Sequence, residues 1–110
     1  MGLEKHPPLT ESVYYIMLSL VSPRHGYGIM QHIHEISNGR VKMGPGTLYG
    51  AIKTLLERGW IEHVKANPDS RKKQYMLTEE GKNVVKAEIN RLQELLYNGK
   101  QMMGGELNNA

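Results

Sequence analysis

The sequence predicts a mainly α fold with a small β hairpin. Three observations point there. Residues 10–58 carry three runs with helical apolar spacing, separated by Pro, Gly and Asn. Two strand-like runs follow, 60–66 and 72–77, joined by the turn-forming Asn67-Pro68-Asp69-Ser70. Thr78-Glu79-Glu80 then opens a fourth helical run, with an N-cap residue and two acids in the first turn. At 110 residues the chain supports one domain.

The first helix starts where Pro7-Pro8 gives way to Thr10, a good N-cap, and Glu11, an acid suited to the positive end of the helix dipole. Val13, Ile16, Met17 and Leu20 follow the i, i+3, i+4, i+7 spacing of a buried face, and Tyr14, Leu18 and Val21 add a second apolar stripe. A helix apolar nearly all round needs cover on two sides, from a later helix or from another subunit. Ser22-Pro23 ends it, and Arg24-His25-Gly26-Tyr27-Gly28 reads as a turn. The second helix carries Ile29, Ile33 and Ile36 as apolar positions and stops at Asn38-Gly39, both tolerant of positive φ. Gly44-Pro45-Gly46-Thr47 opens the third, with Pro45 in the first turn, where a missing N–H costs nothing. Leu48, Ala51, Ile52 and Leu55 form its buried stripe, and Gly59 ends it.

In the second strand run Tyr75 and Leu77 share one face and Gln74 and Met76 the other. On the fourth helix Val85, Ile89, Leu92 and Leu96 are spaced 4, 3 and 4, a coiled-coil-like seam about two heptads long. Residues 99–110 include Gly104, Gly105, Asn108 and Asn109, so a flexible tail is expected. The expected organisation is a unit over 1–77, a C-terminal helix over 78–98 and a tail over 99–110.

Composition narrows the function. The absence of cysteine excludes disulfides, thiolate metal sites and a cysteine nucleophile. No apolar run reaches the ~18 residues needed to span a membrane. Residues 1–8 lack the apolar stretch of a secretory signal, so a cytoplasmic protein with no membrane partner is expected. The formal charge is only +3, but it is unevenly placed. Residues 1–77 hold 10 Lys/Arg and 6 Asp/Glu, whereas 78–110 hold 4 and 5. Within the first part, residues 40–73 carry 8 basic and 3 acidic residues, +5 over 34 residues. Such a segment is either a solvated face or a polyanion-binding surface. The five histidines lack metal-ligand spacing: His32 and His34 are two apart on a helix and point in different directions. Glu79, Glu80, Glu88 and Glu94 read as helix-start and solvent-face acids, with no pair placed for acid–base work. No metal, no cofactor and no enzyme activity are expected.

Helix, helix, helix, hairpin, helix is the layout of a winged helix-turn-helix, here with a C-terminal dimerisation helix. In that fold the third helix enters the major groove of double-stranded DNA and the hairpin reaches an adjacent groove or the backbone. With Leu48 at the centre of the buried face, Gly46, Thr47, Gly50, Lys53, Thr54 and Glu57 fall on the outer side, and Tyr49 at its boundary. Small residues let the duplex approach, and N–H groups at a helix start can bind phosphate. Lys53 can meet a phosphate or a guanine edge. Tyr49 either donates its hydroxyl to a phosphate or packs against the hairpin. Lys65, Arg71, Lys72 and Lys73 flank the hairpin turn as a phosphate clamp, whose affinity would fall steeply with salt. The plain alternative for them is a solvated strand edge.

Gly46-Thr47-Leu48-Tyr49, followed by Ile52, Leu55, Leu56-Glu57-Arg58-Gly59 and Ile61, resembles the GTLY motif and following helix of PadR-family transcriptional regulators. Leu9-Thr10, His25-Gly26-Tyr27-Gly28-Ile29, and Arg71-Lys72-Lys73-Gln74-Tyr75 with Leu77-Thr78-Glu79-Glu80-Gly81 resemble three further blocks of that family, in the same order. The resemblance spans roughly residues 9–96. It implies a cytoplasmic bacterial or archaeal repressor that binds a palindromic operator. It also implies a homodimer in which the C-terminal helix packs on the partner's N-terminal helix. The interface residues would then be Val13, Tyr14, Met17 and Leu18 against Val85, Ile89, Leu92 and Leu96. Two departures stand out: Gly50 occupies a position where many members have Pro, and the only tryptophan, Trp60, opens a strand rather than lying in the C-terminal helix. No drug site is therefore carried over. Two rival readings remain at this level. One is a regulator sensing an unknown small-molecule effector, of drug or phenolic type, at the dimer interface. The other is a protein-interaction module that has lost DNA binding.

Overall fold

Thr10 begins the described fold as the sequence predicts: its Oγ1 accepts from the Val13 N–H at 3.2 Å and opens α1, Glu11–Ser19. The computed structural model describes residues 7–64 and 73–109. Ile16, Met17 and Leu20 face inward from α1 and are fully buried. The second apolar stripe is covered in part within the chain, because α1 packs on both α2 (Gly26–Ile36) and α4 (Glu79–Met103).

The segment after α1 is not a plain turn. Arg24–His25 forms a two-residue strand, β1, that pairs with β3 (Gln74–Leu77) through Arg24 opposite Tyr75 and His25 opposite Gln74. Two residues carry no periodicity, and only the approach of a distant strand makes them one. The expected hairpin is thus part of a three-stranded antiparallel sheet ordered β1-β3-β2, with β2 over Ile61–Val64. Tyr75 and Leu77 are buried while Gln74 and Met76 are half-buried, the alternation the sequence predicts. Residues 65–72 lie outside the described residues.

His25 also caps α2, its Nδ1 accepting from the Gly28 N–H at 3.2 Å. Ile29 and Ile33 enter the core, but Ile36 ends the helix and stays exposed. Asn38 and Gly39, at φ 54° and 77°, make the stop. The third helix, α3, runs Pro45–Arg58 and buries Leu48, Ile52 and Leu55; Gly59 closes it in the left-handed region at φ 76°.

Two contacts place α4. The Leu77 N–H donates to the Leu20 carbonyl at 2.8 Å, and the Thr78 N–H to the Trp60 carbonyl at 3.0 Å. The Thr78 hydroxyl accepts from the Gly81 N–H at 3.0 Å and donates to the Gly59 carbonyl at 2.6 Å, so one side chain ties the end of α3 to the start of α4. Beyond that start, α4 departs from expectation. It passes through Gly99 to Met103, and a 3-10 helix follows over Gly104–Asn109. A single Gly costs a helix interior only about 1 kcal/mol relative to Ala, which Lys100, Gln101 and Met102 can outweigh. Gly104, at φ 56°, is where the helix stops.

The expectation for Glu88 is corrected. It is 2 % exposed, on the same face as Gly81, Val84 and Val85, whereas Glu94 is exposed. The Arg91 guanidinium, one turn on, donates to both of its oxygens at 2.9 and 2.6 Å. Burial holds the Tyr14 phenol above the usual range, and the negative charge of Glu88 adds to that. Helical spacing from Gly81 and Val84 already puts position 88 on the inner face; reading the residue type alone misplaces it.

Candidate nucleic-acid interface

The N-terminal half of α3 presents a bare surface. Its N-cap, Gly44, supplies no side-chain hydrogen bond, whereas Thr10, His25 and Thr78 cap the other three α-helices. Gly46, Thr47, Gly50, Lys53 and Thr54 are exposed, as their helical phase predicts. A Cβ added at Gly44, Gly46 or Gly50 would meet nothing within 4 Å. The result is a shallow, small-residue face with free N–H groups at its positive end and Lys53 one turn further along.

Tyr49 packs against α2 while part of it faces solvent. It remains 49 % exposed. Its ring end nevertheless rests on Gly26, where a Cβ would stand 2.1 Å from the hydroxyl oxygen. Burial raises the Tyr75 phenol, and the electrostatic effect of the neighbouring Tyr49 raises it further. His63 of β2 stacks on Tyr75 with centroids 5.1 Å apart and rings tilted by 42°. The His25-Gly26-Tyr27-Gly28 block and the Gly46-Thr47-Leu48-Tyr49 block are therefore two sides of one contact. Sequence reading missed that contact; its only local trace is a glycine beside the helix cap. Tyr27, next to Gly26, is exposed.

The cations divide into engaged and exposed ones. Arg40 pairs with Glu11 through both guanidinium nitrogens, and that pairing holds the Glu11 carboxyl below its usual range. The Arg58 guanidinium lies 5.1 Å from the centroid of Trp60. Lys42, Lys53 and Lys73 are exposed. Lys65, Arg71 and Lys72 of the expected clamp lie outside the described residues. Among the described residues no group of three or more His, Asp or Glu could hold a metal ion, and no helix is long and apolar enough to cross a membrane.

The expected dimer seam divides too. Ile89 and Leu92 are each 37 % exposed and Leu96 is 58 % exposed. Val13, Tyr14 and Leu18 are half-buried. Met17 and Val85 are corrected: both are buried in this chain's own core and offer no surface to a partner. From Leu92 to Leu107 every residue is exposed, and that stretch includes Leu95, Tyr97, Met102 and Met103.

Three helices, a three-stranded sheet with its hairpin, and a long helix leaving the body define a winged helix-turn-helix protein with a C-terminal extension. The model of the transcriptional regulator PadR-like family matches residues 16–87, and the chain belongs to that family. Solved structures agree on the fold. A PadR-like transcription factor from Bacteroides fragilis is 24 % identical, with a TM-score of 0.66 over 83 % of this chain and 88 % of that one. A PadR family transcription regulator from Clostridium difficile R20291 is 21 % identical, with a TM-score of 0.66 over 84 % and 98 %. RosR from H. salinarum is 25 % identical, with a TM-score of 0.61 over 82 % and 76 %. No curated protein sequence matches the chain significantly.

Proposed function

We propose that the chain is a sequence-specific DNA-binding regulator, acting as a homodimeric repressor on a palindromic operator from the cytoplasm. The bare N-terminal face of α3 carries the reading: small residues, exposed N–H groups and Lys53 lie where a recognition helix meets a major groove. Gly46, Thr47 and Gly50 let the backbone approach. Lys53 reaches a base edge or phosphate, and the half-exposed Tyr49 hydroxyl reaches a phosphate. Lys65, Arg71, Lys72 and Lys73 act as the wing's phosphate clamp, supported by their density in the sequence. The exposed apolar stripe of α4 supports the homodimer, because one chain leaves it uncovered. Two copies would present two reader helices, which is why a palindromic site fits.

The direct test is a footprint and gel shift on the DNA flanking the regulator's own gene. Protection of one palindrome is expected; binding equally weak on every sequence would leave only a general polyanion surface. In the same assay Lys72→Ala with Lys73→Ala should weaken binding to all sequences and flatten the salt dependence by about 2 in slope. An unchanged slope removes the clamp.

Gly26→Ala tests the seat of Tyr49. The new methyl displaces a half-exposed ring end that can swing outward, so stability should change by no more than about 1 kcal/mol. Operator affinity should fall about 5-fold or more, as Tyr49→Phe would make it fall if its hydroxyl meets a phosphate. A Gly26→Ala protein that binds with full affinity would detach Tyr49 from the interface.

A further inference from the structure

The two ends of the chain present complementary surfaces that one copy does not bring together. At one end a cavity of about 340 Å³ opens between residues 7–10, α3 and Trp60. That is room for whole side chains rather than a lone water. Pro8, Leu9, Val13, Leu55 and Trp60 give it apolar walls, and Arg58 is the one charged side chain among its described lining residues. Arg58 is exposed, lies against Trp60 and pairs with no described acid. At the other end α4 leaves the body, and at 1.5 Å per residue Met103 stands about 17 Å beyond Leu92. The 3-10 helix then carries Glu106 and Leu107. Met103 and Leu107 are 49 % and 43 % exposed, and the exposed Glu106 pairs with no described cation. This terminus sets apolar side chains around one acid, and the cavity sets apolar walls around one cation.

We propose that in the homodimer this cavity receives the C-terminal turn of the second copy, with the partner's Met103 and the partner's Leu107 between the apolar walls and the partner's Glu106 on Arg58. The inference rests on the homodimer reading and adds to it a specific socket for the end of the chain. No described lining residue comes from α4 or the 3-10 helix, and α4 carries its own terminus away from the body, so the occupant comes from another copy. Val13 joins the socket to the expected interface: it lines the cavity, and it lies half-buried on the α1 face that a partner helix would cover. A helix that lays the partner's Leu96 on that face carries the partner's Met103 about 10 Å further, to the level of an adjoining site. Burial of the two apolar side chains favours the seat, and the carboxylate–guanidinium pair fixes which way the terminus enters. Under two-fold symmetry the exchange is reciprocal, so each contact is made twice.

The chain contains no cysteine, so an introduced pair reports without background. Full-length Thr54→Cys protein is mixed with full-length Leu107→Cys protein, left to exchange subunits and oxidised. A disulfide-linked product at twice 12.5 kDa should form faster in the mixture than in either protein alone. Thr47→Cys, on α3 but outside the cavity lining, should give no such product with Leu107→Cys. The charge pair is read separately by light scattering across a dilution series. Glu106→Arg and Arg58→Glu should each raise the dimer dissociation constant about 5-fold or more, and the double variant should return to within about 2-fold of the starting protein. Both positions are exposed, so the monomer fold should hold. A dimer that forms normally yet gives no Thr54–Leu107 cross-link overturns the proposal and leaves the homodimer standing. So does a double variant no tighter than the single ones. A starting protein that scatters as 12.5 kDa at micromolar concentration instead overturns the homodimer itself, and the socket with it.

Discussion

Gly81→Ala is expected to destabilise the protein by about 2–4 kcal/mol, although it adds one methyl group to the first turn of a helix. A Cβ at position 81 would stand 2.0 Å from the Trp60 carbonyl oxygen, 2.9 Å from its carbon and 3.2 Å from Leu77 Cδ2. The first two of these are backbone atoms, so no rotamer change relieves the clash. The same carbonyl accepts from the Thr78 N–H, and the Thr78 hydroxyl donates to Gly59. Moving α4 outward to fit the methyl would stretch both bonds, each worth about 1 kcal/mol. The melting temperature should fall by roughly 10–25 °C at fixed protein concentration, read by circular dichroism. Gly99→Ala on the same helix is the control. Its Cβ meets nothing, so it should raise stability by about 0.5–1 kcal/mol. If the two variants melt alike, the approach of α4 to Trp60 is not what requires the glycine.

In the proposed homodimer, Leu96→Asp is expected to convert a mass of twice 12.5 kDa to 12.5 kDa in light scattering at micromolar concentration. Leu96 is 58 % exposed in the single chain, so the aspartate stays solvated in the monomer and the fold should hold. In a two-fold interface it would enter twice, desolvating two like charges near an apolar seam. Dimer affinity should drop by about 100-fold or more. Leu92→Asp should act the same way with a larger loss of monomer stability, because Leu92 is less exposed. Operator affinity should fall with the mass, since one reader helix then works alone. A doubled mass that persists in both variants places the interface off the α4 stripe.

Much of the fold can be read along the chain. Thr10, Asn38-Gly39, Gly44-Pro45, Gly59 and Thr78 mark helix ends where the caps and positive φ values occur. The outer face of α3 follows from phase alone, so Gly46, Thr47, Gly50 and Lys53 could be placed before any coordinates. The errors share a cause. Arg24–His25 becomes a strand because residues 74 and 75 come alongside it. Met17 and Val85 are apolar residues that local patterning cannot assign to a core or to an interface. Glu88 is charged by type and buried by position, and Arg91 stabilises it there.

The sequence by itself determined the element order, most of the helix ends, the outer face of α3 and the concentration of positive charge between residues 40 and 73. Those properties depend on neighbours within a turn or two, and so are written in local spacing. Tertiary structure alone decided that Tyr49 sits on Gly26 and that α4 rests on the Trp60 carbonyl. It also decided that Arg58 and Trp60 line a cavity with residues 7–10, and that the rest of the chain leaves the outer half of α4 uncovered. These depend on contacts between residues distant along the chain, whose meeting is set by how the whole core closes.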